Sequence, residues 1–503
     1  MARILLINPT IVAKRHARFP LSLMHLAASL EPRHPVQILD GNVDRDYVDT
    51  AVRAVSSGRF DAVGVSVMGG QQLPEALRVS EAIRAVAPLP VIWGGYFPSI
   101  FPEAALAEDC VDFAIRAQAE DTIVELLDAL ASRDAAAIPA IAGLSWKHEG
   151  KCLHNADRAF ASARNARPLD FDRLDNPRQY LGHTCLGRRT AGYQASVGCR
   201  FRCTFCGVAT MFRGKTALPA VSRLDRDLSY LSQVLGADSL QFYDHNFFDR
   251  EEDMQPVLDV LARHRLPWWC YARSDALVNL SAQSWKKVRQ SNLRMAYIGA
   301  ESPSDTMLHE IRKGTKADQT LEAARVCRDN GVIPELSFML APPHDPEGET
   351  EKTFQFVREV KRIHPQAEIV LYVYTPLPPS SHALAKTHPR AVENAARIRD
   401  TQGEPVRFPT RAREWASPEW VSYWCHNNAP WLTPKLRQRI RDFNTVLGCR
   451  FPTATDVRSP TYVKRALTFL SAWRYRFERY DHPWELDLTR QLIALHDPKA
   501  ASL

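Results

Sequence analysis

The sequence predicts an α/β chain in three parts: an amino-terminal doubly wound, Rossmann-like domain, a partial parallel barrel of six strand–helix units, and a mainly helical carboxy-terminal region. Three observations carry this reading. Short apolar runs alternate with helix-periodic segments over residues 1–135, the pattern of a parallel sheet covered on both faces. After an irregular connecting segment, 136–188, the alternation resumes over 189–390. Residues 391–503 lose the strand-like runs and become rich in Arg and Trp.

The first part reads strand Arg3–Ile7, helix Leu21–Leu30, strand Val36–Leu39, helix Asp46–Val55, strand Asp61–Val67, helix Leu73–Val86, strand Pro90–Trp93, strand Phe113–Ile115 and helix Thr122–Leu130. Such a sheet takes ligands at the carboxyl ends of its strands. Those ends are Asn8-Pro9, Ser66 to Gly70, and Gly94-Gly95-Tyr96. The connecting segment contains a predicted hairpin around Trp146 and His148, then turn residues Pro168, Asp170, Asp172 and Pro177. Barrel strands are predicted at Gln194–Val197, Ser239–Phe242, Trp269–Ala272, Met295–Ile298, Glu335–Phe338 and Ile369–Tyr372.

Composition narrows the function classes. The 503 residues carry 64 Lys and Arg against 57 Asp and Glu, a net charge of +7. That is a mild bias over this length, without the basic-aromatic patches that nucleic-acid binding needs. No apolar run reaches the ~18 residues of a membrane span, and the amino-terminal run lacks the length and cleavage site of a signal peptide. A cytoplasmic location is therefore expected, with no integral membrane segment and no nucleic-acid partner. Ten cysteines are too few for a disulfide scaffold.

Three of those cysteines fall within eight residues: Gly198-Cys199-Arg-Phe-Arg-Cys203-Thr-Phe-Cys206-Gly207. Three thiolates on one tight loop hold three corners of an iron–sulfur cube and leave one iron open. An open iron can chelate the amino and carboxylate groups of a ligand such as S-adenosylmethionine (SAM) and pass an electron to its sulfonium. A structural zinc site would instead close with four ligands. His183 and His245 lack pairing spacing.

The C-x3-C-x-aromatic-C loop resembles the cluster motif of the radical SAM superfamily, with Phe205 in the aromatic position beside adenine. The resemblance covers about 190 residues and implies a [4Fe-4S] cluster on Cys199, Cys203 and Cys206 as the catalytic and metal-binding set. It also implies SAM contacts at the ends of later barrel strands. Asp244 and Glu301 match as acceptors for the SAM amine or ribose, and Arg273 as a carboxylate partner. The alternative for these three is a polar network holding the barrel mouth. The Gly-Gly-Glu motif common after the second barrel strand is absent here.

The amino-terminal part resembles the cobalamin-binding domain that precedes the barrel in one branch of that superfamily, the branch of cobalamin-dependent methyltransferases and the anaerobic Mg-protoporphyrin ester cyclase. The matching residues are Asn8 and Pro9, Ser66 and Met68, and Gly94 and Gly95. The D-x-H-x-x-G signature that supplies an axial histidine is missing. The resemblance implies cobalamin as a further cofactor and methylation of an unactivated carbon of a small-molecule intermediate. It also implies an external electron donor of flavodoxin or ferredoxin type. Oxidative ring closure or ring rearrangement with the same cofactors is the rival outcome. A cobalamin-responsive regulator would have no use for the cysteine loop. Asp244, Tyr243, Tyr271 and Tyr374 are candidate lining residues, with core packing as the alternative role for Tyr243 and Tyr271. The carboxy-terminal Trp and Arg residues read either as a substrate-selecting cap or as helical packing with a solvated basic face.

Overall fold

The computed structural model describes residues 1–31, 33–160, 167–218, 220–378, 389–425, 428–453 and 461–488. Its first sheet runs in the order β2-β1-β3-β4-β5-β6-β7. β1 (Ile4–Asn8), β2 (Val36–Asp40), β3 (Ala62–Ser66), β4 (Val91–Gly94) and β5 (Phe113–Ile115) are mutually parallel. Ile4, Leu5, Leu6 and Ile7 are all buried, because helices cover both faces. Leu5, Ile7, Val63 and Val65 enter one core, and Ile4, Leu6, Ala62 and Ile92 the other. The covering helices include α1 (Leu21–Leu30), α2 (Tyr47–Ser56), α3 (Gln72–Val86), α4 (Tyr96–Ile100), α5 (Pro102–Leu106) and α6 (Glu120–Ser132). The chain order reverses between β1 and β3, so a crevice opens at their carboxyl ends.

The first domain extends past the expected boundary at 135. β6 (Leu144–His148) and β7 (Lys151–His154) form the predicted hairpin, which adds antiparallel to β5. The parallel sheet would otherwise end in an open edge of unpaired backbone groups.

The second sheet is six-stranded and parallel throughout, in the order β15-β14-β13-β12-β11-β8. β11 (Ser239–Phe242), β12 (Trp268–Ala272), β13 (Leu293–Glu301), β14 (Ile333–Leu340) and β15 (Glu368–Val373) lie within a few residues of expectation. The first strand does not. β8 is Thr190–Tyr193, and the expected stretch Gln194–Val197 has mostly left the sheet. Asp244 is the cause: its carboxylate accepts the backbone N–H groups of Ala195, at 2.9 Å, and of Ser196. The freed chain forms β9 (Val197–Gly198), which pairs antiparallel with β10 (Thr216–Ala217) and presents the cysteine loop between them.

Helices Pro418–Cys425, Pro434–Arg450 and Thr461–Arg476 dominate the carboxy-terminal region, whose last part, 489–503, lies outside the described residues. Trp415 is buried, and its ring packs with Trp420, Trp424, Phe101 and Phe408. Trp473 and Trp484 are exposed. The region is clamped to the first domain by Glu108, a fully buried carboxylate that accepts Arg413 Nε–H at 2.6 Å and the Arg413 backbone N–H at 3.0 Å. No helix among the described residues is long and apolar enough to cross a membrane.

Candidate active site

The cysteine loop leaves β9 at Gly198, whose φ of +86° and contact with the Lys215 carbonyl exclude a side chain. It returns through Cys206 into α7 (Gly207–Phe212). Two backbone bonds set its shape: Cys206 N–H to the Cys203 carbonyl at 3.2 Å, and Thr204 N–H to the Ile311 carbonyl at 3.0 Å. All three thiols are free. Cys203 is buried, and Cys199 and Cys206 are half-buried.

Burial pushes the Cys199 thiol up to about 11 and the Cys206 thiol upward, and each thiol feels the charge of its neighbours. Backbone N–H groups are already aimed at the sulfurs: Phe201 at Cys199, and Ala209 and Val208 at Cys206. Donors of that kind suit thiolates that ligate iron, since a coordinating metal removes the thiol proton. Among the described residues no three ligating side chains close on a single ion.

Arg273 lies under this loop. Its guanidinium sits 3.5 Å from the Phe201 ring centroid and 4.0 Å from Cys203 Sγ. It also donates to Asp275 at 2.9 Å and to the Lys313 carbonyl at 2.6 Å. Glu301 sits at a bulge between β13 and β14, with φ of +66°. Its carboxylate takes Lys313 Nζ at 2.8 Å and the Tyr372 hydroxyl at 3.2 Å. Burial pushes Asp244 up to about 6, and both its oxygens are held by backbone N–H groups. Arg273, Glu301 and Asp244 thus gather around the loop, each engaged by protein groups. Phe205 packs beside Met307, Leu308 and Ile311. A cleft of about 850 Å³ opens there, lined by Thr204, Met307, His344, Tyr374 and Trp431 among others.

Sequence reasoning missed Lys313. It is buried, pairs with Glu301, and stands close enough to Cys206 to lower that thiol electrostatically. It follows helix Asp305–Glu310 in a loop, and no spacing or period marks it.

The expected cobalamin-contacting residues come together at the carboxyl ends of β1, β3 and β4. Gln72, also missed, ties them: its amide donates to Asn8 Oδ1 at 3.0 Å and to the Pro9 carbonyl at 2.8 Å, and accepts Met68 N–H at 2.8 Å. Ser66 pairs in register with Gly94. A Cβ on Gly94 would meet nothing within 4 Å, so backbone there is open to approach by a ligand. Gly95 differs: φ is +102° and a Cβ would lie 3.1 Å from the Val67 carbonyl. Trp424 from the carboxy-terminal region covers Gly69, with ring carbons 3.7 Å from where a Cβ on that glycine would stand.

Two domain families match along the chain: the B12 binding domain over residues 14–127 and the radical SAM superfamily over 193–357. The chain is a radical SAM enzyme with an amino-terminal B12-binding domain. Among solved structures, this radical SAM enzyme is similar to the radical SAM methyltransferase TsrM from Kitasatospora setae, determined with cobalamin and a [4Fe-4S] cluster bound. The TM-score is 0.65 at 17% identity, covering 98% of this chain and all of that one. An uncharacterised methyltransferase of Pyrococcus horikoshii is 24% identical over 349 residues, 68% of this chain and 73% of that protein. The anaerobic magnesium-protoporphyrin IX monomethyl ester cyclase of Synechocystis is 21% identical over 344 residues, 66% of this chain and 67% of that protein. The layout of the radical SAM enzyme therefore agrees with the three-part fold expected from its sequence.

Proposed function

We propose that this enzyme is a cobalamin-dependent methyltransferase that acts on an unactivated carbon of a small molecule. The observation that carries the proposal is the junction of the two domains. Tyr96, next to Gly94 and Gly95 in the first domain, touches the cysteine loop at Gly207. On this reading, the site of methyl carriage and the site of radical formation would be adjacent.

Cys199, Cys203 and Cys206 would hold the [4Fe-4S] cluster, and Asn8, Pro9, Ser66, Met68, Gly94 and Gly95 would receive cobalamin. When bound, the cluster supplies the electron that cleaves SAM, and cobalamin supplies a methyl carrier. This chain's residues do the rest. Arg273 and the Phe201, Val208 and Ala209 N–H groups hold the loop and face its sulfurs. Lys313 and Glu301 place a neutralised pair beside Cys206. Phe205 and Met307 form an apolar wall for adenine beside the cleft, and the carboxy-terminal helices exclude water over β3. An external flavodoxin- or ferredoxin-type donor would supply the electron.

Methyl transfer consumes two SAM molecules. The products expected are S-adenosylhomocysteine and 5′-deoxyadenosine in about equal amounts, with label from deuterated methyl-SAM in the product. The match to the cyclase favours a second reading, oxidative ring closure. That reaction would give deoxyadenosine without stoichiometric S-adenosylhomocysteine and an unlabelled product, and this pattern would overturn methyl transfer.

A further inference from the structure

The inner face of the barrel sheet carries four aromatic side chains: Tyr243 beyond β11, Trp269 and Tyr271 on β12, and Tyr297 on β13. The period-two alternation of a strand sends Trp269 and Tyr271 to the same face and Cys270 to the other, where it is fully buried. Ring centroids lie 4.7 Å apart for Trp269 and Tyr271, 5.2 Å for Tyr271 and Tyr297, and 6.4 Å for Tyr243 and Trp269. The three tyrosines are only half-buried, so this face is not sealed as the outer face is.

Most polar atoms of the group are engaged. Trp269 Nε1–H donates to Glu335, Tyr243 donates to Gln241 at 3.0 Å, and Tyr297 bonds Ser337. The Tyr271 hydroxyl has no hydrogen-bond partner among the described residues. Beside it stands a cation from the other domain. Arg18, in the loop between β1 and α1, places its guanidinium 4.7 Å from the Tyr243 ring centroid and acts electrostatically on both Tyr243 and Tyr271. Arg18 is exposed and has no acidic partner among the described residues.

We propose that Arg18 and Tyr271 recognise the carboxylate of a substrate whose flat ring system packs against Tyr243, Trp269 and Tyr271. Two donors without an anionic partner, a guanidinium fork and a phenol O–H, match a planar anion with two oxygens. Tilted aromatic walls match a ring presented edge or face. Glu335 lies deeper on the same face, where it accepts Trp269 Nε1–H, so the ring wall is held from behind by a buried carboxyl group. The inference deepens the proposed function and rests on it only in calling the ligand a substrate.

The test uses full-length, reconstituted protein and two probes, indole-3-propionate and its primary amide, followed by equilibrium dialysis. SAM binding and iron content are measured on the same preparations. The acid should bind about tenfold more tightly than the amide. Arg18→Gln and Tyr271→Phe should each remove that preference while leaving amide and SAM affinity unchanged. Equal binding of acid and amide, or no binding of either at millimolar concentration, overturns the inference. Parallel loss of SAM and acid binding also overturns it, because Arg18 would then serve the SAM carboxylate. Iron-free protein that keeps the acid preference would sink the cluster assignment and leave this inference standing. Iron-loaded protein without the preference does the reverse.

Discussion

Tyr96 occupies the space that a Cβ on Gly207 would need, and its phenol oxygen accepts the Gly207 N–H. One residue belongs to the B12-binding domain and the other follows the last cysteine of the loop. Burial and the neighbouring Cys206 both push the phenol above its ordinary value, which keeps it neutral. The same ring meets Trp424 edge-on at 6.4 Å, so three parts of the chain converge at Tyr96.

Gly207→Ala should therefore damage the loop without touching a cysteine. Overpacking of this kind costs about 1–3 kcal/mol. Anaerobic reconstitution should give a clear loss of iron per chain, and Tyr96→Ala in the same protein should recover part of it by vacating the space. Full iron loading of the single variant would show that the contact is dispensable.

Cys199, Cys203 and Cys206 replaced together by Ala should leave both sheets intact, since the loop lies outside them. Wild-type protein should bind about four irons and four sulfides, and the triple variant essentially none. Reductive SAM cleavage should vanish with the iron. Retention of both would end the assignment of these thiols.

Gly94 offers a cleaner probe of cobalamin binding than Gly95. Any side chain at Gly95 is strained by its positive φ and crowds Val67, whether or not a ligand binds. A Cβ at Gly94 meets nothing within 4 Å, so Gly94→Phe enters without a clash at its first carbon and its ring should block approach at the end of β4. Cobalamin affinity, followed by difference absorbance, should fall at least tenfold, about 1.4 kcal/mol. Unchanged affinity would move the corrin elsewhere.

Burial pushes Glu335 up to about 7, with Glu368 adding to the effect. The native state therefore keeps a proton that the unfolded chain releases near pH 4.5. Stability should fall as pH rises from about 4.5 through 7 and level off above. Glu335→Gln carries no such penalty, because it mimics the protonated acid and keeps an acceptor for Trp269. The variant should gain roughly 2–3 kcal/mol on wild type between about pH 5 and pH 8. Thermal midpoints measured across that range give the comparison; parallel curves would refute it.

Asp244→Asn should loosen the path into the cysteine loop. The carboxylate serves two buried N–H groups, on Ala195 and Ser196, and an amide oxygen serves one comfortably. An unsatisfied buried donor costs about 1–3 kcal/mol. Faster iron loss to a chelator, with the barrel still folded, is the expected result.

Much of this was determined by the sequence alone, because the information is local. The spacing of Cys199, Cys203 and Cys206 needs only one loop, and a period of apolar residues needs only one strand or helix. Leu21–Leu30, Phe113–Ile115 and Ser239–Phe242 were legible for that reason. The first barrel strand was misplaced because Asp244, distant in the chain, competes for the N–H groups of Ala195 and Ser196. Tertiary structure alone decided which distant groups meet. It set Tyr96 on Gly207, Gln72 between Asn8 and Met68, Lys313 beside Glu301 and Cys206, and Arg18 over Tyr243. Such meetings follow from how two sheets pack and which loops their edges present, and no local pattern of residues encodes that packing.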